Sequence, residues 1–397
     1  MTILYSTHNV DVIDCQSAFS KELVLHSQAL QLRRGEFNVH EPYYRSSTTA
    51  LAGQKRKREN TADIDTENWH QEHARPFLIK CIDELPNNVF SHLDNTEDTS
   101  TATAKDDSGI DFTSLISLAQ ASSRFTGPMD HLELTEENHV ITMEPLDVFY
   151  RILSNPSPMN SMQITIEDQN YIMPPGASFY MSDMSTGMKD LKAHARSIGF
   201  YDFVVMDPPW PNKSVHRSSH YETQDIYDLF KIPMKQLIAT SGLLAVWVTN
   251  KPKFRRFVIN KLFPTWNIKC VGVWYWLKVT THGEPVVPLD SPHRKPYEQL
   301  VLGIAMQQQQ QEDPGTREEI PDKHAIISIP SRRHSRKPPL QDVMAKYLPK
   351  DPKCLELFAR CLTPHWTSWG NECLKFQHTQ YYETVEEEET IKDRVES

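Results

Sequence analysis

Residues 201–210 read Tyr-Asp-Phe-Val-Val-Met-Asp-Pro-Pro-Trp, and the fold turns on how they are read. Phe203, Val204, Val205 and Met206 make a short continuous apolar run, the pattern of a strand buried on both faces in a parallel sheet. Pro208 and Pro209 cannot donate to a sheet ladder, so the strand has to stop at Asp207 and the chain has to leave stiffly. Asp207 is thereby set at the carboxyl end of a strand, where open α/β sheets place their ligand crevices. Trp210 is held beside it. A lone Asp-Pro pair would read as a turn; a second proline and a tryptophan directly after an apolar strand favour a site.

Outward from this stretch, strands and helices alternate. Residues 243–248 read as a strand, and Pro252 suits the first turn of a helix with Phe254, Phe257, Val258 and Leu262 on one face. Residues 271–277, 300–304, 325–329 and 354–358 read as further strands. The interleaving predicts a doubly wound, mostly parallel α/β sheet. Toward the N-terminus, residues 164–173 read as an edge strand or hairpin, closed by Pro174-Pro175-Gly176. Leu146, Phe149, Tyr150 and Leu153 predict a helix, as do the apolar residues of 69–93. Residues 94–111, rich in Thr, Asp, Ser and Ala, read as a disordered linker, and Phe112, Leu115, Ile116 and Ala119 as a short amphipathic helix after it.

Composition sets outer limits. The 397 residues are 39% hydrophobic and 10% aromatic, enough for a real core, and 27 prolines point to long loops. The net charge of −10 means that any contact with a polyanion must come from local basic patches. Six cysteines without Cys-x-x-Cys spacing argue against a zinc ribbon or a disulfide framework, so no metal is expected and a reducing compartment is. No apolar run reaches membrane-spanning length, and no membrane contact is expected. Lys55-Arg56-Lys57-Arg58 reads as a nuclear-import signal, with a solvated charge cluster as the alternative.

The chemistry around Asp207 is specific. An aromatic amino group, such as N6 of adenine, is a poor nucleophile because its lone pair is delocalised into the ring. Asp207 and the Pro208 carbonyl are two acceptors, with no competing proline N–H, that can draw such a nitrogen toward tetrahedral geometry. Trp210 supplies a π-face on which an extruded base could stack. Three more segments carry chemistry. Ser335-Arg336-Lys337-Pro338-Pro339 follows a strand, with a proline suited to the first turn of a helix faced by Leu340, Val343, Met344, Tyr347 and Leu348. Leu355-Glu356-Leu357-Phe358-Ala359-Arg360 is a strand with a charged exit. In Trp366-Thr367-Ser368-Trp369-Gly370-Asn371-Glu372, Gly370 permits close backbone approach, while Asn371 and Glu372 can bind a ribose or an adenine.

Together these motifs resemble the Asp-Pro-Pro-Trp class of S-adenosylmethionine-dependent N6-adenine methyltransferases, over about half of the chain, and most resemble the methyltransferase-like protein 4 branch. The segment from Asp290 to Glu298 strengthens the match to that branch. The resemblance implies a Rossmann-like methyltransferase fold with permuted motif order, in which the cofactor strand follows the catalytic one. It implies that Asp207, Pro208, Pro209 and Trp210 are catalytic. Ser182, Asp183 and Met184 would flank the adenine of S-adenosylmethionine, Lys337 would lie between cofactor and substrate, and Phe358, Arg360, Asn371 and Glu372 would complete the cofactor pocket with Asp207. Arg336 stands where the family has histidine, and no G-x-G-x-x-G occurs.

Lys213, Arg217 and Tyr221 lie in a polar loop after Trp210 that the family uses to cover the base, and Arg294 and Lys295 could meet phosphate. Arg332 and Arg333 would extend that basic rim. The expected organisation is an N-terminal accessory region (1–93), a linker (94–111), a connecting region (112–178), a catalytic domain (179–380) and an acidic tail (381–397). The expected substrate is adenine in RNA, by resemblance a 2′-O-methylated adenosine in small nuclear RNA, with DNA as the rival. A non-catalytic RNA-binding role is the alternative by class. A nuclear location, with the cytoplasm as a secondary alternative, and no obligate protein partner complete the expectation.

Overall fold

The computed structural model describes residues 2–43, 61–93, 130–134, 140–182, 184–211, 225–291, 294–306, 318–333 and 335–385. The linker, the Lys55–Arg58 cluster, the helix expected after residue 111 and residues 386–397 lie outside them.

Tyr201–Met206 is a strand, central in a twelve-stranded sheet. Across one half of that sheet the order is Ile3–Ser6, Val10–Ile13, Ala325–Ser328, Ile268–Lys278, Tyr297–Ala305, Ile238–Val248. It continues through Tyr201–Met206, Cys354–Leu357, Trp366–Gly370, Ser178–Met181, Arg151–Ser154 and Asp130–Glu133. The five strands from Ile238–Val248 to Ser178–Met181 run parallel, whereas Tyr297–Ala305 is antiparallel to both of its neighbours. The expected Rossmann-like α/β sheet is present. Alternate residues of the central strand enter opposite cores: Phe203 and Val205 pack with Trp247 and Trp366, Val204 and Met206 with Leu191 and Phe254. Burial on both faces is why the run carries no polar alternation.

The N-terminal region is part of this sheet, not an annex to it. Val10–Ile13 pairs in parallel with Ala325–Ser328, and Asp11 and His324 meet at 2.8 Å, fully buried. Its four-residue strands are shorter than the windows in which periodicity is legible, and their partner lies more than 300 residues away. Tyr382–Thr384, at the start of the expected tail, pairs with Gln28–Leu32 in a small second sheet.

Two local expectations fail for backbone reasons. The helix expected over 146–153 is a 3-10 turn, Pro145–Val148, followed by a strand, Arg151–Ser154. Tyr150 takes a left-handed φ of 58°, which ends the turn and lets the strand pair antiparallel with Ser178–Met181. The helix expected to start at Pro338 or Pro339 begins at Gln341. Pro338 and Pro339 each disfavour the helical region for the residue before them, so Lys337 sits in the irregular segment before the helix instead of in its first turn. The remaining matches are close: Met162–Ile166 and Gln169–Met173 form the hairpin, and Pro252–Phe257 is a helix with proline in its first turn.

Candidate active site

Asp207 leaves the central strand into an open cleft of about 590 Å³, its solvent-filled mouth included, at the carboxyl edge of the parallel strands. The walls come from four parts of the chain. Val205 and Asp207 come from the central strand, Trp247 from its neighbour, and Glu356, Phe358 and Arg360 from the strand Cys354–Leu357 and its exit. Residues 335–341 close one side, joined by Phe19 and Phe376. Phe358 holds a left-handed φ of 61°, which turns the chain sharply where the strand ends.

Two cations converge on one oxygen. Lys337 Nζ lies 3.0 Å and Arg360 Nη1 3.2 Å from Asp207 Oδ2. Both cations are met through Oδ2, and Asp207 lines the cleft. Lys337 also reaches Glu298 at 2.9 Å, and Glu298 pairs with Lys278 at 2.5 Å. Arg360 extends the network to Glu372 at 3.3 Å, and Glu372 meets Lys375 at 3.1 Å.

The titrations follow from these contacts. Burial pulls the Lys337 ammonium down, but Asp207 and Glu298 together outweigh it and raise it. Burial pushes the Glu298 carboxyl up, and Lys337 and Lys278 overcome that to bring it down to about 2. Glu356 has no such rescue. Burial and then the Asp207 charge push its carboxyl up to about 7, only partly offset by Arg360 and Lys337.

Asp207, Lys337, Phe358 and Arg360 are therefore gathered in one cleft, with Glu372 one contact behind Arg360. Asn371 lies exposed beside Glu372. Gly370 is held to glycine because a Cβ there would stand 2.9 Å from the Ala359 backbone N and O. Trp210 does not present an open face. It is buried, donates its indole N–H to the Trp247 carbonyl at 2.8 Å, and packs on Phe254 at 4.9 Å. Ser182 is buried outside the cleft, its hydroxyl accepting the Trp369 indole N–H at 2.7 Å. Lys295 and Arg333 are spent internally, on Glu67 at 2.9 Å and Glu36 at 3.1 Å, and Lys295 has only 6% of its side chain exposed. Neither is a free phosphate ligand. Arg294 and Arg332 are exposed. Asp183, Lys213, Arg217, Tyr221 and the side chain of Met184 lie outside the described residues.

Glu298, Phe19 and Trp247 are site residues that sequence reasoning missed. In a parallel strand, residue 298 would start at the edge away from the ligand crevice. Because Tyr297–Ala305 runs antiparallel, its beginning falls at that crevice and delivers Glu298 to Lys337. A carboxylate heading an otherwise apolar strand was the available signal. Phe19 has none, since it arrives on the short helix Cys15–Ser20 from the far end of the chain.

The cleft suits S-adenosylmethionine by its donor set. Trp247, Phe358, Trp366 and Phe376 offer aromatic faces, Asp207 and Glu356 carboxyls, and Lys337 and Arg360 cations for a carboxylate. Arg336, also in the wall and only 5% exposed, has Nε and Nη1 without a hydrogen-bond partner among the described residues.

Comparison with known proteins agrees. Residues 201–372 match the MT-A70 family. The chain is 43% identical over 264 residues to the human (Homo sapiens) N(6)-adenine-specific methyltransferase METTL4, covering 65% of this chain and 54% of that protein. It is 39% identical over 186 residues to the N6-methyladenosine RNA methyltransferase MTA1 of Pyricularia oryzae, 45% of this chain and 48% of that one. It is 32% identical over 205 residues to a DNA N6-methyl methyltransferase of Caenorhabditis elegans, 51% of this chain and 53% of that one. The chain spans about half the length of these curated relatives.

Proposed function

We propose, proceeding from the match of residues 201–372 to the MT-A70 family, that this chain transfers a methyl group from S-adenosylmethionine to N6 of adenine in nucleic acid. The observation that carries the reading is the split role of the Asp207 carboxylate. Oδ2 is pinned by Lys337 and Arg360, so Oδ1 is fixed in place to accept an amino N–H, and the Pro208 carbonyl offers a second acceptor. Fixing acceptors before the reaction, instead of reorienting water during it, is the main source of electrostatic catalysis. S-adenosylmethionine supplies the electrophilic methyl group when bound. Lys337 and Arg360 would hold its carboxylate end, Phe358 and Trp247 its apolar parts, and Glu372 and Asn371 its ribose. Trp210 clamps the Asp-Pro-Pro turn to the core through Trp247.

The favoured substrate is RNA, and within it a 2′-O-methylated adenosine of a small nuclear RNA, acted on in the nucleus without an obligate protein partner. The support is the resemblance to the methyltransferase-like protein 4 branch and an RNA methyltransferase among the relatives. A DNA methyltransferase among them keeps deoxyadenosine as the second reading, since both substrates offer the same adenine edge. The test is mass-spectrometric nucleoside analysis of small nuclear RNA, unmodified RNA and DNA incubated with the protein and isotopically labelled cofactor. Label in N6-methylated 2′-O-methyladenosine is the expected result. Label only in deoxyadenosine would move the assignment to DNA, and no label in any adenine would remove the activity.

A further inference from the structure

We propose that the face formed by Tyr227, Lys253 and Lys261 is a track for single-stranded nucleic acid running away from the active site; this rests on the methyltransferase reading and adds where the strand lies.

Tyr227 sits in the 3-10 turn Ile226–Lys231, with its backbone N–H fixed by the Asp225 carboxylate at 3.1 Å. The side chain is half exposed, at 53%, yet the ring is firmly backed. It stacks on Phe230 at 6.0 Å and 24°, and meets Phe257 edge-on at 5.7 Å. One exposed tyrosine is ordinary on a protein surface. Its surroundings are less so. Lys253 and Phe257 stand four apart on the α-helix Pro252–Phe257, which runs on into a π-helical turn, Val258–Leu262, that carries Lys261. Lys261 Nζ lies 5.7 Å from the Tyr227 ring centroid. Both lysines are exposed, and among the described residues neither has a carboxylate at ion-pair distance. The nearby acids are occupied: Asp228 by Lys231 at 2.7 Å, Asp225 by the Tyr227 N–H.

Position links this face to the chemistry. Phe254, one turn before Phe257, packs on Trp210, and Trp210 is joined to the cleft residue Trp247. The two lysines are roughly two helical turns apart, with the aromatic platform beside them. A rigid aromatic face flanked by exposed cations recognises a base and its neighbouring phosphates. The chain carries −10 overall, so contact with a polyanion depends on local basic faces of this kind.

The test is fluorescence anisotropy of the full chain with labelled single-stranded RNA across a salt series, with methyl-transfer kinetics alongside. Tyr227→Ala should weaken binding roughly ten-fold while Tyr227→Phe restores it, because stacking needs the ring and not the hydroxyl. The double reversal Lys253→Glu, Lys261→Glu should lower the salt slope by roughly 1.4, two phosphate contacts of a single strand. The loss should fall on KM for RNA more than on kcat. A wild-type chain that binds and methylates RNA, with variants of unchanged affinity and slope, would overturn the track. So would variants that lose duplex and single-stranded RNA equally. Wild-type protein that binds RNA through this face without methylating anything would instead sink the methyltransferase reading and leave the track standing.

Discussion

Glu298 and Asp207 share one ammonium: Lys337 Nζ lies 2.9 Å from the first and 3.0 Å from the second. Glu298 comes from a strand antiparallel to the Ile238–Val248 strand that flanks the Asp207 strand, and Lys337 from an irregular segment followed by two prolines. The site therefore depends on the strand reversal as much as on the Asp-Pro-Pro-Trp turn. With Lys337 fixed from both sides, the carboxylate oxygen it touches is not available for substrate, and the other one is.

Asp207→Asn tests that division of labour. The amide keeps the volume but offers one acceptor where the carboxylate has two, and turns an N–H toward either the cations or the substrate. Single-turnover methyl transfer should fall at least about 100-fold, the scale of removing one preorganised polar group from a reacting centre. Cofactor binding measured by calorimetry should change far less. Retention of most of the wild-type turnover would rule out Asp207 as the orienting acceptor.

The pH dependence should be divided between two carboxyls of opposite sign. Glu298 is lowered to about 2, so its contribution is present above its unfolded value near 4.5 and is lost as the pH falls toward 2. Glu356 is raised from 4.5 to about 7, so its contribution is present below 4.5 and is lost as the pH rises through 7. Glu356→Gln keeps the shape and removes the titration. Chemical denaturation should show the variant gaining on wild type by about 2 kcal/mol between pH 4.5 and 8, after allowing for solvent screening. A constant difference across that range would mean that Glu356 is ionised in the folded protein throughout.

Lys295→Glu separates folding from substrate binding. Lys295 looks in sequence like a phosphate ligand, but it is buried against Glu67 on the helical stretch that starts at Thr61, and it donates to the Ser291 carbonyl at 3.0 Å. The reversal sets two carboxylates together, one of them buried, and should cost at least about 2 kcal/mol in urea denaturation. Adding Glu67→Lys should recover much of it. If Lys295→Glu kept wild-type stability and lost only RNA affinity, the rim read from the sequence would stand and the ion pair would be incidental.

Much of the fold and the heart of the site were legible because they are local. An apolar run ended by two prolines specifies both the buried strand and the place of Asp207, and the strand ending at Phe358-Ala359-Arg360 carries its own charged exit. What could not be read is set by distance and direction. Nothing near residue 298 announces a reversed strand, and nothing near Val10 announces a partner at Ala325. Two members of the expected basic rim failed for a related reason. Lys295 and Arg333 look free in sequence because Glu67 and Glu36, which neutralise them, are more than 200 residues away. Trp210 was misjudged because the tryptophan after a site carboxylate was taken for a platform, while its indole N–H needed a buried acceptor and found the Trp247 carbonyl.

Glu36 gives the sharpest test of the N-terminal region's part in the cleft. Its carboxylate lies 3.1 Å from Arg333 Nε and 3.9 Å from Arg336 Nη1, and its backbone carbonyl accepts the Arg332 N–H at 2.8 Å. Arg336 is buried, its guanidinium 4.5 Å from the Phe376 ring and 5.3 Å from the Phe19 ring, and it donates to the Phe376 carbonyl at 3.2 Å. Phe19, Arg336 and Phe376 all line the cleft, so Glu36 holds one wall from behind without touching the Asp207 network. Glu36→Gln keeps the shape and removes the charge opposite a buried guanidinium two of whose nitrogens already lack hydrogen-bond partners among the described residues. The wall should loosen, and the S-adenosylmethionine dissociation constant measured by calorimetry should rise about ten-fold, some 1.4 kcal/mol. Glu36→Asp, which retains the charge, should recover part of the affinity, as a charge-based role requires and a packing role does not. The rate at saturating cofactor should fall less than the affinity does, since Lys337, Arg360 and Glu298 are left in place. Unaltered cofactor affinity in Glu36→Gln would show that the N-terminal strands complete the sheet and contribute nothing to the pocket.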